Sequence, residues 1–226
     1  RHDALVIGVT GSVGKTTTRE MIFAVLSAAH RGLRSPKNYN NHLGLPLSLL
    51  ELQSGDEFAV LELGASHVGE IRDLAALAGP EIGVVTAIGE AHVGEFGSLA
   101  NIVRAKGELV ESLPASGLAI LSGDDPLVRT LADRAPCPVL FIGESDQNDL
   151  RAGDVHVGCN RLTFEIDGFR HEISATGRHH LTAALAAVAI GREIGMTDGS
   201  IAEVLRALTA VEGRRRPIEQ RADPPL

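Results

Sequence analysis

Apolar runs of strand length alternate with stretches of helical period along residues 4–142. The run Ala4–Thr10 precedes Lys15–Ala29, in which apolar side chains recur every three or four residues. Such alternation predicts an α/β fold of three layers, in which helices cover both faces of a mostly parallel sheet. The further strands expected are Phe58–Leu63, Ile82–Ile88, Leu118–Leu121 and Val139–Ile142, and the helices between them are expected near Val68–Ala78, Ser98–Leu113 and Pro126–Ala135.

The pattern changes at about Asp154, where alternating apolar and polar residues replace the continuous apolar runs. Asp167-Gly168 has the composition of a two-residue hairpin turn. The segments around it predict a small antiparallel addition made of Val155–Val157, Arg161–Ile166 and Phe169–Ile173. Two helices are expected after it, His179–Ile194 and Ser200–Leu208.

Composition and charge narrow the classes of protein. The chain is 44% hydrophobic, enough for a sizeable core in one large domain, which we expect to span residues 1–212. Its formal net charge of -8 argues against nucleic-acid binding and against an anionic membrane surface. No apolar run is long enough for membrane insertion, and no secretory signal opens the chain. Cys137 and Cys159 form neither a disulfide framework nor a metal motif, so a cytoplasmic location is expected.

A glycine-rich segment joins the first expected strand to the first expected helix. It ends in the Gly-Lys-Thr of a phosphate-binding loop, although the usual spacing would place glycine where Val9 stands. Backbone N–H groups at such a junction form an anion cradle, with Lys15 reaching the β- and γ-phosphates and the Thr16 hydroxyl meeting Mg²⁺. An ordinary glycine-rich turn is the alternative. The residues expected to bind nucleotide are Gly11, Ser12, Val13, Gly14, Lys15, Thr16 and Thr17.

Two more polar residues lie near or beyond the carboxyl ends of expected strands. Glu62 lies within the apolar run FAVLELGAS, and His92 follows the third strand. Because ligands of an open parallel sheet gather at the carboxyl ends of its strands, both are expected near the phosphate loop, with Glu62 holding Mg²⁺. An edge-strand carboxylate and a structural imidazole are the alternatives.

Lys106 falls on the apolar stripe of the helix expected over Ser98–Leu113, three residues from Val103 and from Leu109. A lysine in this position either extends its ammonium to water or is desolvated with a lowered pKa. In the second case the neutral amine can add CO₂ and become a carbamate, an oxygen ligand suited to Mg²⁺. The pattern leaves both possibilities open.

Five motifs occur in the order found in the central domain of Mur ligases: GVTGSVGKTTTREM, KNYNNHLGLPLSLLEL, AVLELGASHVGEI, EAHVGEFGS and RAKGEL. The chain resembles this family over nearly its whole length, and the motifs most resemble those of the members that add D-Ala-D-Ala. The loop of the family is written T-G-x-x-G-K-T, which Thr10–Thr16 satisfies. The residue at Val9 is therefore a family trait and does not signal a broken motif.

The resemblance implies an ATP-dependent amide ligase of peptidoglycan precursor synthesis. ATP would phosphorylate the terminal carboxylate of a UDP-MurNAc-peptide, and D-Ala-D-Ala would attack the acyl phosphate. Of two Mg²⁺ ions, the first would be bound by Thr16 and Glu62, and the second by His92 and a carbamylated Lys106. The catalytic residues would be Lys15, Lys106 and His92.

The resemblance also suggests how the substrates are bound. Asn40 and Asn41 are candidates for contact near the reacting carboxylate, and Arg214 would approach the ATP phosphates. The family often has asparagines that contact adenine where this chain has His180 and Ala183, so base recognition is expected to differ.

The family architecture extends beyond this chain. A complete Mur ligase has an N-terminal domain for the UDP-sugar and a C-terminal domain that closes over ATP and the amine. We therefore expect this chain to be the central piece, with residues 213–226, GRRRPIEQRADPPL, as a linker or tail toward a C-terminal domain. The UDP-MurNAc-peptide and D-Ala-D-Ala would be bound largely by those flanking domains.

Three alternative functions stay open. A related amide ligase, such as cyanophycin synthetase or a folate or poly-γ-glutamate ligase, has the same central domain. A phosphate-loop kinase or GTPase is disfavoured because no N-K-x-D motif occurs and the second strand ends in glutamate. A nucleotide-binding module without chemistry would agree with the changed residues at His180 and Ala183.

Overall fold

A computed structural model of the chain describes residues 4–36, 38–91 and 93–208. Its main sheet has seven strands in the order β2-β3-β1-β4-β5-β6-β7, and every neighbouring pair is parallel. The strands are β1 (Leu5–Thr10), β2 (Gly32–Arg34), β3 (Phe58–Glu62), β4 (Ile82–Val85), β5 (Leu118–Ser122), β6 (Val139–Gly143) and β7 (Leu150–Arg151). Since β1 lies between β3 and β4, the chain reverses its strand order there and opens a crevice at the carboxyl edge.

Helices cover both faces of this sheet. They are α1 (Lys15–Ser27), α2 (Gly44–Leu50), α3 (Glu70–Ala78), α4 (Val93–Phe96), α5 (Leu99–Glu111), α6 (Pro126–Arg129), α7 (Leu181–Glu193) and α8 (Asp198–Ala207). One core cluster joins α1, α7 and α8 to the sheet, and two others join α2, α3 and α5 to the opposite face. The predicted three-layer α/β fold is confirmed.

Alternate residues of β1 face opposite layers. Ile7 and Val9 pack in the cluster with α1, whereas Val6 packs in the cluster with α3. Gly8 lies beneath α5, where an added Cβ would come within 3.0 Å of Leu109 Cδ1. The absence of a side chain at Gly8 thus lets α5 lie close to the strand that leads into the phosphate loop.

The antiparallel addition is a second sheet in the order β10-β9-β8. Its strands are β8 (Gly153–Val157), β9 (Leu162–Ile166) and β10 (Phe169–Ile173). Asp167 and Gly168 have φ of 52° and 78°, as a two-residue turn with two left-handed positions requires. The predicted hairpin is confirmed, and its apolar face joins the core cluster beneath α7.

The structure differs from the sequence-based expectations in several details. The third expected strand, Ile82–Ile88, ends at Val85 because the chain then turns toward the phosphate loop. The expected helix near Pro126–Ala135 is divided into α6 and a 3-10 helix at Thr130–Arg134. The short elements β2, β7, α2 and α4 were not expected. The expected boundary at residue 212 lies outside the described residues and stays a prediction.

None of the helices in residues 4–36, 38–91 and 93–208 combines the length and apolar character needed to cross a membrane.

Candidate functional site

The phosphate loop lies between β1 and α1, at the carboxyl edge of the sheet. Gly14, the residue before α1, has φ 87°, in the left-handed region that glycine adopts without strain. Gly11 has φ 148°, and a Cβ there would overlap the Thr86 hydroxyl. Lys15 Nζ donates to Gly11 O at 2.8 Å, so that the lysine charge lies at the loop itself. The backbone and charge needed for an anion cradle are therefore both present.

The segment Thr86–Gly89 supports this loop after β4 ends. Ser12 N donates to Ala87 O at 2.8 Å, and Gly89 N donates to Ser12 Oγ at 3.0 Å. Thr86 Oγ1 donates to Val13 O at 2.6 Å, and Thr86 is 4% exposed. The segment that follows β4 thus holds the phosphate loop in its shape without a bound ligand.

Glu62 ends β3 beside this loop and is 3% exposed. Its Oε2 accepts from Thr16 Oγ1 at 2.9 Å and from Arg19 Nη1 at 3.4 Å. Its Oε1 accepts from Asn40 Nδ2 at 2.9 Å, while its backbone N donates to Ser35 Oγ at 3.1 Å. The sequence-based expectation that Thr16 and Glu62 lie together agrees with this geometry, because β1 and β3 are parallel neighbours.

The donor set at Glu62 fits Mg²⁺ when nucleotide phosphates take part. Mg²⁺ in proteins is bound through one or two carboxylates together with substrate phosphates and water. Thr16 and Glu62 supply one hydroxyl and one carboxylate, both at the mouth of the phosphate loop. Among residues 4–36, 38–91 and 93–208, no group of three or more His, Cys, Asp or Glu could hold a metal ion by itself. The phosphates would therefore have to complete the coordination.

Lys106 lies on α5 facing the protein interior and is 3% exposed. Its Nζ lies 5.5 Å from the centroid of the Phe96 ring. Burial lowers the pKa of Lys106 to about 8, and the positive charge of Lys15 adds to this effect, while Glu70, Glu108 and Glu62 oppose it. A substantial neutral fraction near pH 8 is what carbamate formation needs, and the snorkelling alternative does not describe this side chain.

Glu108, two residues after Lys106, ties α5 to the start of α3. Its carboxylate accepts from Gly69 N at 2.6 Å and from Arg72 N at 3.1 Å, so one helix caps another. Glu70 accepts from the backbone N–H groups of Ser66 and His67 in the preceding loop. These bonds fix the loop that follows Glu62 relative to the helix that carries Lys106.

Apart from His180, four other residues were expected at the site, and the structure describes two of them, Asn41 and Thr17. Asn41 Oδ1 accepts from Leu43 N and Gly44 N, so its oxygen caps the start of α2. His92 and Arg214 lie outside the described residues, and their expected roles stay predictions. Thr17 lies in the first turn of α1, after Lys15 and Thr16.

His180 immediately precedes α7, which packs beside α1 on the same face of the sheet. Arg178 beside it forms an ion pair with Glu144, which follows β6. Because β6 is three strands from β1, the two regions are about 14 Å apart in the plane of the sheet. Burial, followed by the charge of neighbouring His179, lowers the pKa of His180. Its buried Nδ1 has no hydrogen-bond partner within the described residues.

Ala183 is 2% exposed and packs in the core cluster of α7. It therefore presents no polar group to a nucleotide base. The residues at the start of α7 thus differ from those at the phosphate loop, where Thr16 and Glu62 are held by side-chain hydrogen bonds.

Comparison with known proteins assigns this arrangement to a family. The family model described as Mur ligase middle domain matches residues 9–191. The chain belongs to the Mur ligase family. A relative from Bacillus subtilis (strain 168), named UDP-N-acetylmuramoyl-tripeptide--D-alanyl-D-alanine ligase, is 40% identical over 205 residues, which is 90% of this chain and 44% of the relative. The chain thus spans about half the length of the curated relatives it matches.

Solved structures agree with this assignment. The crystal structure of MurF from Acinetobacter baumannii aligns with a TM-score of 0.88 at 32% identity, over 94% of this chain and 48% of that chain. MurF ligase from Thermotoga maritima in complex with ADP aligns with a TM-score of 0.83 at 30% identity, over 93% of this chain and 49% of that chain. The resemblance drawn from the sequence motifs is confirmed.

Two polar residues of the candidate site were missed by the sequence reasoning. Arg19 is 2% exposed and contacts Glu62, and Thr86 supports the phosphate loop. A signal for Arg19 exists, because it lies three residues before Ile22 and so falls on the apolar stripe of α1. The same criterion identified Lys106. No comparable pattern distinguishes Thr86.

Proposed function

We propose that this chain is the nucleotide-binding domain of an ATP-dependent amide ligase that joins a UDP-MurNAc-tripeptide to D-Ala-D-Ala. The observation that carries the proposal is the 2.9 Å bond between Thr16 Oγ1 and Glu62 Oε2 at the mouth of the phosphate loop, with buried Lys106 on the neighbouring helix. The names of relatives at 33–40% identity supply the substrates.

The reaction has two steps. An oxygen of the peptide carboxylate attacks the γ-phosphorus of ATP, the bond to the β-phosphate oxygen breaks, and ADP leaves. The amine of D-Ala-D-Ala then attacks the carbon of the acyl phosphate, an amide forms, and inorganic phosphate leaves with the loss of a proton. Lys15 and the backbone N–H groups of residues 11–16 stabilise charge on the transferring phosphoryl group.

Thr16 and Glu62 would hold one Mg²⁺, and His92 with Lys106 a second. Bound Mg²⁺ would neutralise charge on phosphate oxygens and orient them for transfer. Asn40 supports this role indirectly, because its amide holds the Glu62 carboxylate at 2.9 Å. Direct contact of Asn40 or Asn41 with the peptide substrate, and of Arg214 with the ATP phosphates, remain parts of the proposal.

Lys106 would act as its carbamate. The ammonium first loses one proton; the neutral amine then attacks CO₂, a nitrogen–carbon bond forms, and a second proton leaves, so that a buried cation becomes an anion with two oxygen donors. Its buried position and the lowered pKa of about 8 support this conversion. A resonance that depends on isotope-labelled bicarbonate and disappears in Lys106→Arg would identify the carbamate.

The substrates other than ATP would be bound mainly by regions outside this domain. The chain spans about half the length of its relatives, and we propose that residues 1–212 form the nucleotide-binding unit and 213–226 a connection to a further domain. The synthesis would take place in the cytoplasm, where ATP is available.

A second candidate is a nucleotide-binding module without chemistry. The buried Ala183 and the unpartnered Nδ1 of His180 favour it, because neither offers the amide that the family resemblance expects at the base. Such a module would bind ATP without transferring its phosphate.

The first experiment tests nucleotide binding by the 226-residue chain. Thermal unfolding with Mg²⁺ and ATP at a hundredfold excess over the dissociation constant should show stabilisation of about 2.7 kcal/mol. Lys15→Met should lose most of this protection, whereas Arg31→Met, which removes an equal charge at an exposed position, should keep it. Equal protection of both variants would contradict the assigned phosphate loop.

The second experiment separates ligase from binding module. The matching region of the Bacillus subtilis relative is replaced by this chain, and ADP formation that depends on D-Ala-D-Ala is measured. An active chimera whose activity disappears with Glu62→Ala supports the ligase. A folded chimera that binds ATP and forms no amide supports the module.

A further inference from the structure

Arg19 is a buried cation that contacts the carboxylate proposed to hold Mg²⁺. Its side chain is 3% exposed and that of Glu62 is 4% exposed, with 3.4 Å between Arg19 Nη1 and Glu62 Oε2. Arg19 and Thr16 lie three residues apart on α1, so both reach the same oxygen of Glu62. One face of the helix after the phosphate loop thus presents a hydroxyl and a guanidinium to one acceptor.

Arg19 belongs to a row of alternating charges that leads away from the site. Its Nη2 lies 2.6 Å from Glu20 Oε1, and Glu20 Oε2 lies 2.8 Å from Arg34 Nε. The row of Arg34, Glu20, Arg19 and Glu62 has no net formal charge. Within this row Glu62 has a compensating cation without a metal ion, because Arg19 supplies the charge that a buried carboxylate requires.

A divalent cation placed between Thr16 and Glu62 changes this balance. It brings two positive charges beside a guanidinium that is itself buried, and like charges repel strongly where water is excluded. Nucleotide phosphates bring compensating negative charge, so a cation that arrives with phosphates experiences less net repulsion. The site should accordingly bind Mg²⁺ poorly alone and well together with a nucleotide.

We infer that Arg19 is the resident counter-ion of Glu62, which holds the carboxylate in place without metal and weakens the binding of a divalent cation that arrives without nucleotide. Arg19 is a positioning residue, since it acts through Glu62. The inference rests on the proposed function, because it takes Glu62 as the metal ligand.

The test compares Arg19→Met with the unaltered 226-residue chain, using MgCl₂ without nucleotide. By isothermal titration calorimetry, Arg19→Met should reach half-saturation at about a tenfold lower Mg²⁺ concentration, since one repelling charge is gone. In thermal unfolding, the variant should be less stable than the unaltered chain in EDTA, and saturating MgCl₂ should narrow the difference. A purely structural role would lower stability equally in both conditions, and that result would overturn the inference.

Two controls keep the charge argument separate from the packing argument. Arg31→Met removes an equal charge from an exposed side chain that pairs with Asp56 and should leave Mg²⁺ binding unchanged. Arg19→Lys retains the charge and should bind Mg²⁺ as weakly as the unaltered chain. If Arg19→Lys instead binds as tightly as Arg19→Met, the charge is not the cause and the inference fails.

Two further outcomes are distinguishable. If Arg19→Met does not fold in EDTA, MgCl₂ should restore its folding, and a chain that stays unfolded at saturating MgCl₂ contradicts the inference. If the unaltered chain shows no protection by Mg²⁺ with ATP, the proposed function itself fails. If that protection is present and Arg19→Met binds Mg²⁺ no more tightly, the inference alone fails.

Discussion

The carboxyl ends of β1, β3 and β4 form what we call the phosphate side. There the side chains of Ser12, Thr16 and Glu62 are all hydrogen-bonded. His171 on β10 is buried and His180 before α7 is partly buried, and both have buried ring nitrogens that lack a partner among the described residues; we call these two separate positions the imidazole side. Burial lowers the pKa of both histidines. One side is therefore built to hold charge, and the other favours neutral rings.

This difference has a physical reason. A triphosphate requires cations, N–H donors and oxygen ligands fixed in place, because each would otherwise be desolvated at a cost when the ligand binds. A nucleobase is neutral and can lie against apolar groups or rings. Under the proposed function we therefore expect strong recognition of the phosphates and weak discrimination among bases.

Loss of Lys106 should have the largest effect, because it removes the ligand proposed for the second Mg²⁺. In the chimera with the Bacillus subtilis relative, Lys106→Ala should lower the rate of amide formation by about 10²–10³, comparable to the loss of one group that stabilises the transition state. Steady-state kinetics of ADP release measure it, with and without added bicarbonate, which should not rescue the variant.

The matched control is Arg104→Ala, which removes an exposed cation from the same helix. It should leave the rate unchanged within about twofold, as expected of an exposed surface substitution. Full activity of Lys106→Ala would contradict the two-metal assignment and remove the main functional contrast between the two sides.

The long elements of the fold were predictable because each has a periodic pattern of its own. β1 and α1 match the expected ranges within two residues at each end. The strands β2 and β7, of three and two residues, carry no pattern, and they exist because they pair with β3 and β6. The seven-residue helix α2 contains Pro46 and begins at a cap supplied by Asn41, and its apolar run is too short to show a helical period.

The site was predictable only as far as topology decides it. Thr16 and Glu62 meet because their strands are parallel neighbours, and the sequence order is sufficient to infer that. The period of α1 places Arg19 on its buried stripe, but the contact of Arg19 with Glu62 depends on side-chain direction, as does that of Asn40 in its loop. The roles of His92 and Arg214 rest on family resemblance and stay predictions.

Thr86→Val tests whether the phosphate side is preformed. The substitution keeps the shape of the side chain and removes the hydroxyl that donates to Val13 O at 2.6 Å. We expect a loss of about 1–3 kcal/mol in the free energy of unfolding, measured by urea denaturation, because a carbonyl loses its donor. Thr86→Ser retains the hydroxyl and should lose less. Equal stability of the two variants would show that the loop is held by its backbone bonds alone.

The imidazole side should respond to acid. Burial lowers the pKa of His171, so the fold favours the neutral ring, whereas the unfolded chain takes up the proton near pH 6.5. The contribution of His171 to the free energy of unfolding is complete above that pH. It decreases as the pH falls below it, with a slope of at most about 1.4 kcal/mol per pH unit for one proton.

His171→Phe tests this slope. The new ring keeps an aromatic contact with Phe164, whose centroid lies 5.3 Å away. Urea denaturation between pH 5 and 8 should show that the free energy of unfolding of the variant rises relative to that of the unaltered chain as the pH falls. His156→Phe replaces an exposed histidine and should keep the original slope. Parallel pH profiles for His171→Phe and the unaltered chain would contradict a buried neutral imidazole at this position.

The smallest expected effect concerns base selection. His180→Asn places an amide, with both a donor and an acceptor, at the position where the family resemblance expects one, while Ala183 still offers no polar group. One added hydrogen bond should improve discrimination between ATP and GTP by about 0.5–1 kcal/mol, measured as the ratio of their dissociation constants. His156→Asn makes the same chemical change at an exposed position on β8 of the second sheet and should leave the ratio unchanged. If His180→Asn lowers affinity for ATP while the phosphate loop still binds pyrophosphate, the His180 ring itself contacts the base, and the imidazole side is then a recognition surface of its own.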